Sequence, residues 1–236
     1  MRDRDARVAG LLYLGAVIGG IFTLEYVPNK INVPGNAVAT AHNILAQELL
    51  FRLGTLGDIV MGTIWLLVVL ALYQLLKDVD RLQANLMLIL GAFLQVPLYF
   101  VMAAYRAAAL LAATDTTFLS AFSPAQRDAI AMLFLKLHSY ELNASFLFAG
   151  LWLFPFGILV YKSQVFPRVL GIWLIVNGVA YVAICLTYFL APQYSDVVGN
   201  VTQPILFGEI AIMLWMLVMG TRTFRRQTGA TVRTAE

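Results

Sequence analysis

The stretch LFRLGTLGDIVMGTIWLLVVLALYQLLKDVDR, residues 50–81, decides the fold. From Leu56 to Leu76 it is mainly apolar, with Asp58 near its start as the one charged residue, and it then stops abruptly on the charged run KDVDR. A membrane-crossing helix needs about 20 mainly apolar residues to traverse a hydrocarbon layer about 30 Å thick. Residues 56–76 meet that requirement. Long, mainly apolar runs recur at residues 8–27, 84–105, 143–161, 169–190 and 204–221. The expected fold is therefore all-α, a six-helix transmembrane bundle.

Composition agrees. The chain has 236 residues, of which 61% are hydrophobic and 12% charged. Soluble domains hold roughly 45–50% apolar and about 25% charged residues. The beginning, MRDRDARVAGLLYLGAVIGGIF, has the charged start of a secretion signal. Its apolar core from Val8 to Leu24 is longer than the roughly 7–15 residues of such a signal, and no small-x-small cleavage site follows. It is expected to remain as the first span. Cys185 is the single cysteine, which excludes an intrachain disulfide and a thiolate metal cluster.

The net charge of +3 comes from basic residues in short clusters between apolar runs, a pattern of membrane orientation rather than of nucleic-acid binding. With the N-terminus inside, Arg2, Arg4, Arg7, Lys77, Arg81, Lys162, Arg168, Arg222, Arg225, Arg226 and Arg233 lie inside. Lys30, Arg52, Arg106, Arg127 and Lys136 lie outside. The positive-inside rule then sets both termini in the cytoplasm of a bacterial inner membrane. Residues 1–221 form one polytopic domain, and residues 222–236, RTFRRQTGATVRTAE, a short basic tail.

Two stretches on the outer side are too long for simple loops and are expected to form a small helical cap, at residues 36–53 and 118–142. In the first, Asn36 is placed to cap a helix on which Val38, Leu45, Leu49 and Leu53 form an apolar stripe and Thr40, Asn43 and Gln47 the opposite face. In the second, Ser123, Pro124 and Gln126 make a capping-box helix start. Whether residues 124–161 form one continuous helix is open, because such a helix would be about 57 Å long. Gly15 and Gly19 form a G-x-x-x-G in span one. Gly54, Gly57 and Gly62 thin one side of span two, and Pro155 is expected to kink span four.

The polar residues inside this apolar frame are the candidate site. Asp58 opens span two and Glu209 lies about one and a half turns into span six; ionisable groups at such depth face a bundle interior or water. LFLKLHSYELNAS, residues 133–145, adds His138 and Glu141 on one helical face. His42 falls on the apolar stripe of the first cap helix, where a satisfied buried histidine is expected. Glu48 and Arg52 form an i, i+4 pair. Together Glu209, His138, Glu141, Asp58, His42, Glu48 and Arg52 are the candidate polar pocket of the outer face, with a structural salt-bridged cap as the equal alternative. His138 and Glu141 are also a candidate metal pair. Their order reverses the Glu-x-x-His of di-metal helices and no second copy exists, so no metal and no cofactor is expected. Walker, G-x-S-x-G, H-E-x-x-H and dinucleotide motifs are absent from the sequence.

RVAGLLYLGAVIGG, PGNAVATAHNILAQELLFRLGTLGD, LYQLLKDVDR, VFPRVLGIWLIVNGVAYV and FGEIAIMLWMLVMG, taken in order, cover most of the chain. On these segments the chain resembles an uncharacterised family of bacterial integral-membrane proteins, domain of unknown function 4386. The LFRLG-x-x-GD run and the GE of the last span are the most specific parts. The resemblance implies a multi-pass membrane protein and carries over no catalytic residue. The first expectation is a non-catalytic binding, sensing or partner protein in the lipid bilayer, with its ligand or protein partner open. The alternatives are a membrane enzyme, metal-assisted or not, acting at the outer face, and a small transporter made of two inverted three-helix halves.

Overall fold

The computed structural model describes residues 2–221 except 115, 116 and 118. The basic tail at 222–236 and part of the linker before Ser123 lie outside the described residues. Helix α1 (Arg2–Gly20) continues through a π-helical turn at Ile21–Tyr26 into α2 (Val27–Ile31). Next come α3 (Ala37–Ala46) and α4 (Glu48–Leu76). Helix α5 (Arg81–Leu88) passes through a second π-helical turn, Ile89–Phe93, and a break at Leu94 and Gln95 into α6 (Val96–Thr114). Helices α7 (Pro124–Lys162) and α8 (Arg168–Leu190), a 3-10 turn at Pro192–Tyr194 and α9 (Ser195–Val218) complete the chain. The described residues contain no strand, and six helical stretches among them are long and apolar enough to cross a membrane.

Helix α1 packs on α4 and α9, α4 on α6, α6 on α7, α7 on α8, and α8 on α9. These contacts close into a ring of six spans. Leu11, Ile18, Leu67, Ile172, Val179 and Leu214 point outward, while Trp65, Leu72, Trp152, Phe156, Leu174 and Met213 fill the interior. An apolar face on the outside as well as the inside is what lipid requires. The first and last described residues sit at one end of the ring, where Asp3 Oδ1 accepts from the Thr221 N–H at 2.8 Å. Lys162 reaches Asp80, the N-cap of α5, at 2.7 Å at the same end. Helix α3 covers the opposite end, called here the cap end.

Helix α7 settles its own question of continuity. It is one unbroken helix of 39 residues, about 58 Å long, and Pro155 lies inside it without ending it. Its start is the predicted capping box, with the Ser123 N–H donating to Gln126 Oε1 at 2.8 Å and the Gln126 N–H to Ser123 Oγ at 3.4 Å. Tyr140, packed on Tyr188, and Tyr161, under Arg168, mark two aromatic levels on it. They are separated by about 32 Å of helix, one hydrocarbon thickness. Residues 124–139 stand beyond the upper level and belong to the cap.

The cap differs from the expectation at residues 36–53. The backbone breaks at Gln47 (φ −123, ψ 40), so α3 ends at Ala46 and Glu48–Leu53 opens α4. The facing of α3 is also reversed. Val38 and Leu45 are 62% and 50% exposed, whereas Thr40, Ala41 and Ile44 are buried. The reason is hydrogen bonding. The carbonyls at the end of α2 have no helical donor. Asn43 Nδ2 donates to the Ile31 carbonyl at 3.1 Å and Gln47 Nε2 to that of Lys30 at 3.2 Å. The polar face must therefore turn inward, and the apolar stripe turns out. His42 goes with it and is exposed rather than buried.

Glycine spacing sets a backbone-to-backbone helix contact, and not at the expected pair. A Cβ on Gly15 would meet nothing within 4 Å, while one on Gly19 would strike Met61 Sδ at 2.4 Å. The close approach is between α7 and α8. A Cβ on Gly150 would lie 2.6 Å from the Gly178 carbonyl oxygen, and one on Gly157 would lie 2.7 Å from that of Gly171. Backbone faces backbone twice, one heptad apart, so neither helix can yield without separating. Gly157→Ala is expected to lower stability by about 1–3 kcal/mol, the usual effect of overpacking. Gly199→Ala, whose Cβ would meet nothing within 4 Å, is expected to be neutral or slightly stabilising. Thermal unfolding of the two variants in detergent tests the contrast; equal melting would refute it.

Candidate functional site

The predicted polar residues divide between two places. The first is a cluster at the cap end of the ring. Arg106 Nε lies 3.0 Å from Asp58 Oδ2 and 3.0 Å from His138 Nε2, and His138 Nε2 lies 3.4 Å from the same carboxylate oxygen. All three side chains are buried. The Arg106 N–H is aligned on His138, so Asp58 is held to Arg106 by charge rather than by an aligned hydrogen bond.

Local sequence explains how four spans meet here. Within the π-helical turn the Val27 N–H bonds back to the Phe22 carbonyl, five residues away. The next donor in that register would be residue 28, which is proline and has no N–H. The Thr23 carbonyl is thus left without a backbone donor inside a membrane protein. Arg106 Nη2 donates to it. Gly54 makes room, since a Cβ there would lie 2.5 Å from Arg106 Nη1. Gly57 does the same for Thr23, whose Cγ2 would lie 2.3 Å from an added Cβ. The LFRLG-x-x-GD run is the seat of this cluster: two glycines clear the space and Asp58 supplies the counter-charge.

The second place is a cavity of about 380 Å³ at the centre of the ring, walled by residues from all six spans. Glu209 is its single ionisable carboxylate among the described lining residues, which include no Lys, Arg or His. The Tyr13 hydroxyl donates to Glu209 Oε2, and the Tyr181 hydroxyl also bonds its carboxylate. Trp65, Trp152, Tyr99 and Phe146 form much of the wall. Trp65 stands edge-on to both Tyr13 and Trp152, at 5.5 and 5.0 Å between ring centres. The break in the third span contributes Gln95, whose Nε2 donates to the Phe148 carbonyl at 3.2 Å. Glu209 is deeper than expected. Pro204 lies within α9 rather than at its start, so the helix begins at Ser195 and Glu209 stands about 21 Å along it.

The cavity is not sealed. Helix α9 packs on α1 and α8 but makes no substantial contact with α7 or with the π-helical turn of the first span. Gln203 and Phe207 line the cavity on this side and are exposed, Phe207 at 52%. The cavity therefore opens to the surface beside α9. A smaller cavity of about 80 Å³ lies against Arg106 and His138, and Leu24 and Leu142 line both cavities.

The remaining candidates lie apart. Glu48 and Arg52 form an exposed i, i+4 pair at 2.7 Å, and His42 is exposed on α3. Glu141 is half-buried on α7. No group of three or more His, Cys, Asp or Glu side chains able to hold a metal occurs among the described residues, and His138 is turned to Asp58 and Arg106. Tyr13, Tyr181, Tyr99 and Gln95 were not singled out in the sequence. A glutamine two residues before a proline in the middle of span three, and tyrosines in the middle of spans one and five, are the signals that mark them.

Asp58→Asn leaves Arg106 charged and buried without its counter-charge. The expected loss is about 3–5 kcal/mol. Combining it with Arg106→Met, which removes the stranded charge, is expected to recover part of that loss. Melting temperatures of the wild type, both single variants and the double variant measure the coupling; strictly additive losses would exclude it.

An 81-residue segment is 31% identical to a protein of Archaeoglobus fulgidus described as an uncharacterized protein, covering 34% of this chain and 47% of that protein. The match thus spans about half the length of this curated relative. No solved structure matches the chain. A family match runs from residue 8 to residue 220, through the Gly54–Asp58 seat and the Glu209 cavity alike: the chain belongs to the family described as Domain of unknown function (DUF4386).

Proposed function

We propose that this protein binds a small amphipathic molecule inside the membrane, as a non-catalytic binding or sensing protein. The observation that carries the reading is the cavity of about 380 Å³ walled by all six spans around Glu209. Ligand pockets have volumes of about 300–1,000 Å³ and are mostly apolar with a few convergent polar groups. This one has that size and lining, and its opening beside Gln203 and Phe207 of α9 would admit a molecule already dissolved in lipid. Binding is favoured over catalysis because the phenols of Tyr13 and Tyr181 hold the carboxylate in place, and no nucleophile–base pair lines the cavity among the described residues.

Trp65 and Trp152 line the cavity and serve as reporters. An alkyl amphiphile carrying a terminal bromine is expected to quench their fluorescence saturably in lipid nanodiscs. Ala149→Phe, which places a ring in the cavity, is expected to abolish the saturable component while the protein still melts cooperatively. Non-saturable quenching that is the same in both proteins would overturn the reading.

The cap end faces the outside of the cell in this reading, and both termini face the cytoplasm, as the distribution of Lys and Arg supports. With Cys185 replaced by Ser, Gln193→Cys at the cap end is expected to react with an impermeant maleimide on intact cells. Gln164→Cys at the other end is expected to react only after lysis. The reverse pattern would invert the topology.

A further inference from the structure

The wall of the central cavity has an uneven chemistry that narrows the ligand. Among the described residues it carries one acidic side chain, Glu209, and no basic one. The nearest buried cation along the bundle, Arg106, lies in the cap-end cluster and is already committed to Asp58 and the Thr23 carbonyl. An anionic ligand would enter with nothing to balance its charge, beside a carboxylate. A zwitterionic headgroup would leave its phosphate in the same position. A cation meets the opposite conditions. The two phenols donate to Glu209 and hold its carboxylate in one orientation. Trp65, Trp152 and Phe146 add ring surfaces to the wall, and the negative face of an aromatic ring attracts an organic cation, most strongly where water is excluded.

We infer that the ligand of this pocket is a lipophilic ammonium ion, with its charged nitrogen beside Glu209 among the aromatic walls and its apolar body directed to the opening beside Gln203 and Phe207 of α9. The inference rests on the binding reading above. It adds that the charge of the ligand, and not only its apolar body, is recognised. A protonated amine would donate to the Glu209 carboxylate, and a quaternary ammonium would rest against the ring faces.

The test uses the full-length protein in nanodiscs of uncharged lipid and three probes with the same brominated alkyl chain, ending in trimethylammonium, in hydroxyl and in carboxylate. The ammonium probe is expected to bind at least about tenfold tighter than the alcohol, and the carboxylate more weakly than either. In Glu209→Gln, which keeps the side-chain shape and an acceptor for the phenols, the ammonium is expected to fall to the affinity of the alcohol while alcohol binding persists. Comparing the three probes on the wild-type protein needs no variant to fold. If ammonium and alcohol bind equally tightly, or if Glu209→Gln keeps the preference, the charge inference fails and the binding reading stands. If no probe shows saturable binding sensitive to Ala149→Phe, the binding reading itself fails.

Discussion

The guanidinium of Arg106 is the element on which the upper half of this bundle depends. It comes from the third span and answers three needs at once: the orphaned carbonyl of Thr23 in span one, the carboxylate of Asp58 in span two and the imidazole of His138 in span four. Buried as they are, none of these groups has water to fall back on. A proline placed five residues after Thr23 removes the backbone donor, and a wide helical turn presents the carbonyl sideways. An arginine with its fork of donors can reach that carbonyl and its counter-charge together. Lysine, a single point of charge, could not make the same set of contacts.

The irregular turns serve the cavity as well as the cluster. Both π-helical turns precede a proline closely, Pro28 in the first span and Pro97 in the third. Non-helical backbone at membrane depth is tolerated where protein buries it or where it lines a cavity. Here the break at Leu94 and Gln95 does the latter. It turns Gln95 inward, and Trp65 Nε1 takes up the Gly91 carbonyl at 3.0 Å. That bond in turn fixes the ring that stands against Tyr13 and Trp152. The pocket is thus held open by the helix irregularities, while the glycine contacts of α7 and α8 keep the opposite wall rigid.

The two polar sites have different characters. The cap-end cluster pairs the charge of Arg106 with that of Asp58 and joins four spans, as a structural tie does. The central carboxylate is held by phenols and lines an open cavity with aromatic walls. Leu24 and Leu142 are the partition between them, since each lines both cavities. In the proposed reading, ligand binding falls to the central cavity rather than to the cap-end cluster.

Length and hydropathy were enough to determine the six spans, because an apolar run of about 20 residues in this setting has few alternatives to a crossing helix. The capping box at Ser123 was legible for the same local reason, and so was the pair Glu48–Arg52. What depended on partners far away in the chain was not. The facing of α3 was decided by the unsatisfied carbonyls of α2, which outweighed its apolar stripe. The tight glycine contacts were decided by which helices are neighbours, so Gly150 and Gly178 mattered and Gly15 did not. Asp58 and Glu209, alike in sequence as acids within apolar runs, were separated only by tertiary structure: one found an arginine, the other two tyrosines at the wall of a cavity. An isolated ionisable group in a membrane span announces that it needs a partner, and only the packing of the spans decides whether that partner is the protein's own or a ligand.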